Sequence, residues 1–171
     1  MPQKPDMSVD PDRPPRSVGF LISQLGFVSS QGFMRALEPL GIDPREWTLL
    51  RYVAQTEGQS QQALADRLGM PASGMVALVD RLEQAGLVER RPSPTDRRVR
   101  ALYMTPKGAR TLKTAVEVAI AYETELCSRL ETDEREQLID LLQKLQGDKV
   151  ARRGVHPGMA VPEQPTGPPE E

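Results

Sequence analysis

The sequence predicts a mainly α-helical fold broken by one small β-hairpin, and three observations carry that expectation. Apolar residues recur with a helical period through most of 17–147. Two short runs rich in branched residues, LVER and VRALYM, flank the turn-forming stretch RPSPTDR. Proline gathers at the ends: of 16 prolines, five precede Ser17 and five follow Gly147. Such weakly apolar segments bury too little surface to offset the entropy of ordering. Residues 1–16 and 148–171 are therefore expected as disordered tails around one folded unit, 17–147.

Within that unit, Val18, Leu21, Ile22, Leu25, Val28, Met34, Leu37 and Leu40 follow a helical period, with Gly41 as the stop. A second helix begins at DPREWTLLRYVAQ, where Asp43 suits the N-cap, Pro44 the first position and Glu46 the third position of a capping box. Trp47, Leu50 and Ala54 are expected on its buried face, with the tryptophan as a core anchor. Ser60 caps QQALADRL, whose Leu64 and Leu68 form a short apolar edge. After the turn GMP comes a fourth helix, with Met75, Leu78, Val79 and Leu82 on one face and Gly86 as its left-handed cap. Two short helices joined in this way make a helix-turn-helix.

The hairpin follows, its second strand expected to alternate Val99, Ala101 and Tyr103 against Arg100, Leu102 and Met104. Thr105 and Pro106 open a fifth helix expected to carry Leu112, Val116, Ile120, Leu126 and Leu130. TDEREQLIDLLQKLQG forms a last helix with Leu138, Leu141, Leu142 and Leu145 along one side. Nothing remains in the folded unit to cover that stripe, so a partner is expected.

Composition narrows the functions. At 38% hydrophobic and 27% charged residues, the chain is that of a soluble globular protein. Neither a spanning apolar run nor a secretory signal is present, so a cytoplasmic protein without a membrane partner is expected. One cysteine, Cys127, and one histidine, His156, provide no disulfide and no metal cluster. Without a glycine-rich phosphate loop, metal set or nucleophile constellation, neither a cofactor nor an enzyme is expected. Cys127, among apolar neighbours and acids that disfavour a thiolate, reads as a structural thiol.

Charge is the informative feature. The formal net charge is only -2, yet 90–100 holds five arginines against one aspartate, whereas 117–140 holds eight acids against two arginines. A basic hairpin opposite an acidic end orients a protein on a polyanion, and arginines reaching phosphates release condensed counterions. A hairpin tip is slim enough for the minor groove, where a guanidinium meets strongly negative potential.

The stretches EWTLLRYV, QQALADRLGM, VALVDRLEQAGLVERRPSPTDRRVRALYMTPKG and QLIDLLQKL resemble the MarR (multiple antibiotic resistance regulator) family of winged-helix transcription factors over nearly all of 17–147. The resemblance implies a mainly α fold with a small β-hairpin wing. It divides the unit into a winged helix-turn-helix lobe at about 43–104 and N- and C-terminal dimerisation helices at about 17–41 and 105–147. It further implies a homodimeric transcriptional regulator on a pseudo-palindromic operator in double-stranded DNA, a repressor released by a small aromatic or amphipathic ligand. The family's Asp-x-Arg pattern falls on Asp96 and Arg98, making Arg98 the groove-inserting side chain and Asp96 the residue that positions it.

Arg90, Arg91, Arg97 and Arg100 are further DNA contacts from the wing, and Ser60, Gln61 and Gln62 are expected at phosphates. On the recognition helix, Ala72, Ser73, Gly74, Val76 and Ala77 face DNA, with reading by Ser73, by backbone approach at Gly74 and by apolar contact with thymine methyls. Arg81 meets a phosphate or pairs with Asp66 or Glu83. The implied dimer interface draws on Val18, Leu21, Ile22, Leu138, Leu141, Leu142 and Leu145, and the implied ligand pocket on Leu25, Trp47, Arg51, Leu112 and Val116. Because the recognition helix is poor in polar readers, a winged-helix module that binds protein without specific DNA binding is the alternative.

Overall fold

The computed structural model describes residues 17–93 and 99–147, together with Val155 and Met159. Helix α1 spans Val18–Leu37 and tightens into a 3-10 turn at Glu38–Leu40, where an α-helix was expected to continue. Pro39 has no N–H to donate to the α-helical ladder, and Gly41 closes the turn at φ 67°.

Helix α2, Pro44–Gln55, starts on the expected capping box. The Asp43 carboxylate accepts the Arg45 and Glu46 amides at 2.8 Å each, and the Glu46 carboxylate accepts the Asp43 amide at 2.8 Å. Its buried face differs from the expected one: Leu49, Leu50 and Val53 are fully buried, Trp47 is half-buried and Ala54 is exposed. The helix packs against α1 and the domain interior at once, which turns the 49–50–53 stripe inward and leaves Trp47 at the edge against Phe33, rings 5.2 Å apart and edge-on.

Helices α3, Gln61–Leu68, and α4, Ala72–Gln84, form the helix-turn-helix. Ser60 Oγ accepts the Ala63 amide at 3.1 Å, and α4 buries the four residues its period assigns, Met75, Leu78, Val79 and Leu82. Strands β1, Val88–Pro92, and β2, Arg100–Met104, pair antiparallel from Val88 opposite Met104 to Pro92 opposite Arg100.

The alternation expected in β2 is broken, because Ala101 and Leu102 are both buried. Residues 58–60 run along its other edge. The Gly58 amide donates to Leu102 O, the Leu102 amide donates to Gln59 O, both at 2.9 Å, and Ser60 bridges Ala101. Paired along both edges and packed by α2 and α3, β2 keeps little solvent face.

Helix α5, Pro106–Leu126, begins with Thr105, whose hydroxyl accepts the Gly108 amide at 2.9 Å and lies 2.7 Å from Gly86 O, to which it donates. Gly108 is needed there: a Cβ on it would stand 1.9 Å from Leu87 O. The first turn of α5 is thus pressed onto the entrance of β1. The helix ends earlier than expected, so Leu130 falls in the turn before α6, Thr132–Gln146.

The core sits in the lobe built from α2, α3, α4 and the hairpin, joined by Leu37 of α1 and Ala115 of α5. Each such leucine contributes about 1.5–3 kcal/mol of burial. By contrast, α6 has no buried residue, and the amino-terminal half of α1 is exposed throughout. The expected C-terminal tail supplies an unforeseen core member. Met159 is 1% exposed within the core cluster and Val155 packs against it. An unbranched thioether side chain suits an irregular gap of this kind. No helix among the described residues is long and apolar enough to cross a membrane.

Candidate nucleic-acid interface

On α4, Ala72, Ser73, Val76 and Ala77 are exposed side by side at the amino-terminal end, the end that addresses base edges in a helix-turn-helix. Val76 keeps 46% of its surface in solvent. Gly74 faces elsewhere: its missing Cβ would point at Met70, 3.4 Å away, and at Pro71. A side chain at that position would therefore meet the turn between α3 and α4 at ordinary contact distance.

The polar side chains around this face are bonded within the protein. Arg81 Nη2 lies 2.9 Å from both Asp43 Oδ2 and Glu46 Oε1, tying α4 to the first turn of α2. Neither partner expected for Arg81 is used, since Glu83 joins Arg90 and Gln62 Nε2 donates to Asp66 at 2.8 Å. Hydrogen bonds to Asp43 and then Glu46 push the Arg81 guanidinium further up. The Glu46 side chain is only 7% exposed, so the cation also answers a carboxylate that burial would otherwise penalise.

Arg90 forms the second tie. Its guanidinium pairs with Asp80 and Glu83 of α4, its Nε donates to Gln61 Oε1 of α3 at 2.8 Å, and its amide donates to Glu83 Oε1 at 3.1 Å. The side chain is 17% exposed. Burial works to lower its pKa, but the bonds to Asp80 and Glu83 outweigh it and the net shift is upward. One residue of the wing thus fastens both helices of the helix-turn-helix to β1.

Further out, Arg91 is exposed, pairs with Glu89 and lies 4.9 Å from the Tyr103 ring centre; Arg100 is exposed opposite Pro92. The Ser93 amide donates to Val99 O at 2.9 Å, closing the hairpin below its tip. Asp96, Arg97 and Arg98, expected on the wing, lie outside the described residues. Ser60, Gln61 and Gln62 sit at the start of α3, with the Ser60 hydroxyl engaged as its cap.

The expected ligand residues are only partly brought together. The Arg51 guanidinium stands 4.7 Å over the Trp47 ring, Leu112 is half-buried beside the core, Val116 is exposed, and Leu25 lies eight positions, about 12 Å of helix, from the Phe33 that meets Trp47. The structure instead opens a cleft of about 620 Å³ between α1 and the end of α5, lined by Phe27, Val28, Arg35, Tyr122, Leu126 and Arg129 among others. Its floor is built where Tyr122 crosses α1: the hydroxyl donates to Ser29 O at 2.9 Å over Gly32, where a Cβ would be 2.6 Å from the Tyr122 hydroxyl oxygen. Sequence reasoning missed this cleft. The expected dimer residues Val18, Leu21, Ile22, Leu138, Leu141, Leu142 and Leu145 are all exposed.

A helix-turn-helix followed by a two-stranded hairpin that carries arginines, flanked by long helices, is the winged helix-turn-helix of DNA-binding transcription regulators. The chain belongs to the MarR family of these proteins, whose sequence profile matches residues 40–99. It is 33% identical over 135 residues to a transcriptional regulatory protein assigned to the hcr operon of Thauera aromatica, covering 74% of this chain and 81% of that one. The fold is similar to that of the transcriptional repressor CouR bound to a 23-mer DNA duplex, with TM-score 0.68, 29% identity, and 77% of this chain and 93% of that one covered. It is also similar to CouR from Rhodococcus jostii RHA1 bound to p-coumaroyl-CoA, with TM-score 0.63, 30% identity, and 78% and 94% covered.

Proposed function

We propose that this protein is a homodimeric, sequence-specific transcriptional repressor of the cytoplasm, released from a pseudo-palindromic operator by a small amphipathic ligand. The observation that carries the reading is the joining of an exposed recognition face on α4 to an arginine-bearing wing through Arg90. The amino-terminal half of α1 and all of α6, which contribute nothing to the core, support the dimer: their exposed apolar stripes demand cover, and a second copy presents the same stripes. A dimer sets two recognition helices against two half-sites, which is why the operator is palindromic.

In this reading Ser73, Val76 and Ala77 enter the major groove beside Ala72, and Arg98, positioned by Asp96, enters the minor groove. Arg91, Arg97 and Arg100 reach phosphates, as do the amides at the start of α3. Arg81 and Arg90 hold the lobe together instead. The cleft between α1 and α5 suits an aromatic or acyl body, with Arg35 and Arg129 at hand for an anionic end. A relative of this fold bound to p-coumaroyl-CoA supports that ligand class.

The test is selection of duplexes from a random pool, followed by affinity as a function of salt. An enriched palindrome bound with a log–log slope of several units is expected. Failure to enrich any duplex, with no salt-sensitive binding, would refute the reading and favour a module that binds protein.

A further inference from the structure

We propose that major-groove recognition by this protein depends on the 5-methyl groups of thymine, received by Ala72, Val76 and Ala77 around the Ser73 hydroxyl. The inference rests on the reading of the chain as an operator-binding regulator and names the chemistry by which it chooses its sequence.

Base edges are ordinarily read by arginine or lysine at guanine, by asparagine or glutamine at adenine, and by apolar groups at the thymine methyl. On α4, and at the start of α3 and on β1 beside it, the readers of the first two kinds are engaged elsewhere. Arg81 is held between Asp43 and Glu46, and releasing it would strand a carboxylate that is nearly buried. Arg90 is held by Asp80, Glu83 and Gln61, so the Gln61 amide oxygen is taken as well. Gln62 is bonded to Asp66. Asp80, the acid of α4 that would accept from cytosine, is the partner of Arg90. Gln84, the last residue of α4, stands twelve positions from Ala72, about 18 Å along the axis and at the wrong end of the helix.

What the amino-terminal turns of α4 present is therefore three apolar side chains and one hydroxyl. Ala72, Val76 and Ala77 are exposed within one and a half turns, and Val76 offers two methyl groups to solvent. A hydroxyl donates to or accepts from any base, so Ser73 adds orientation and little choice. Against this surface, adenine–thymine pairs are distinguished from guanine–cytosine pairs by one feature, the methyl group that projects into the groove. The half-site is expected to carry two or three thymines, on either strand, beneath α4.

Deoxyuridine tests this directly, because it pairs as thymidine does and lacks only the methyl. The full-length dimer is titrated with the enriched duplex and with duplexes carrying one thymidine-to-deoxyuridine change at a time. Each methyl beneath α4 is expected to be worth about fourfold in affinity, from the transfer of one CH₂-sized group out of water. Symmetric replacement in both half-sites should cost about fifteenfold. Val76→Ala, at an exposed position where folding is unaffected, should weaken the thymidine duplex and leave the deoxyuridine duplex nearly unchanged, the mark of a direct coupling.

Palindrome-specific binding that is indifferent to every deoxyuridine replacement would overturn the inference and leave the regulator standing, its choice made by DNA shape or by the wing. An enriched half-site with no thymine on either strand beneath α4 would do the same. Loss of all salt-sensitive DNA binding would overturn the regulator and this inference together.

Discussion

Replacing Arg90 with alanine decides between two roles, contact to phosphate and clamp within the lobe, of which the geometry favours the clamp. In the structure its guanidinium is 17% exposed, while Asp80 and Glu83 keep 47% and 40% of their side-chain surface in water. Breaking a fully buried pair costs about 3–5 kcal/mol and breaking an exposed one about 0–1 kcal/mol. Here the two carboxylates regain water when released, but Gln61 also loses its donor, so about 1.5 kcal/mol is expected. For a chain of 171 residues, each kcal/mol shifts Tm by about 2–4 °C, so the variant should melt about 3–6 °C lower at fixed protein concentration. Its affinity for operator should fall while the log–log salt slope stays the same, since no phosphate contact is removed. Arg100→Ala, at an exposed position on β2, is the control: its Tm should hold and its slope should drop by about two, one for each protomer of the dimer. An Arg90→Ala protein with unchanged Tm and a slope reduced by about two, one for each protomer, would refute the clamp and put Arg90 on the DNA.

Other positions carry equally sharp expectations. Gly108→Ala drives a methyl group to 1.9 Å from the Leu87 carbonyl, and a loss of about 3 kcal/mol should appear as a lower urea midpoint with little change in m. Met159→Ala empties a buried place in the core and should cost about 2–3 kcal/mol by the same measurement, whereas no change would return Met159 to a free tail. Leu141→Glu puts a charge on the exposed stripe of α6 and should convert the dimer to monomers in sedimentation at micromolar concentration; a persistent dimer would place the interface elsewhere. Cys127, half-buried with Sγ 3.8 Å from Glu123 Oε1, should be replaceable by serine without altering operator affinity before or after peroxide, and a peroxide response lost in the variant would make it a sensor.

The parts of the fold that were legible in the sequence are those decided within a few residues. Asp43, Ser60 and Thr105 cap the helices that their spacing suggested, and Met75, Leu78, Val79 and Leu82 are buried as a period of 3.6 requires. The hairpin was readable because turn formers separate two strand-like runs. Arg81 and Asp43 are 38 positions apart, and no local pattern distinguishes that pair from the nearer acids Asp66 and Glu83. The edge formed by residues 58–60 consists of three hydrogen-bonded positions with no strand composition, so the second covered side of β2 had no signal. The cleft beside Tyr122 depends on Gly32 permitting a close crossing of α1 and α5, and a glycine within a helix does not say what crosses it.

These long-range pairs alter the meaning of the basic stretch that first suggests DNA. Counted along the sequence, 90–100 carries five arginines and one aspartate. In space, Arg90 is answered by Asp80 and Glu83, and Arg91 by Glu89. A guanidinium that already holds a carboxylate gains little from a phosphate, because the first bond must loosen before the second forms, and no net counterion release follows from exchanging one anion for another. Of the arginines in this stretch that the structure describes, Arg100 is therefore the one without a paired carboxylate, and the polyelectrolyte attraction of each protomer rests on fewer cations than the count implies. The proposed function then implies a division of labour, in which the wing supplies most of the salt-dependent affinity and the apolar face of α4 supplies discrimination that salt barely touches. The proposed dimer couples two such half-interfaces, so losing the α6 stripe should cost more operator affinity than losing any single wing arginine, since it uncouples both faces at once.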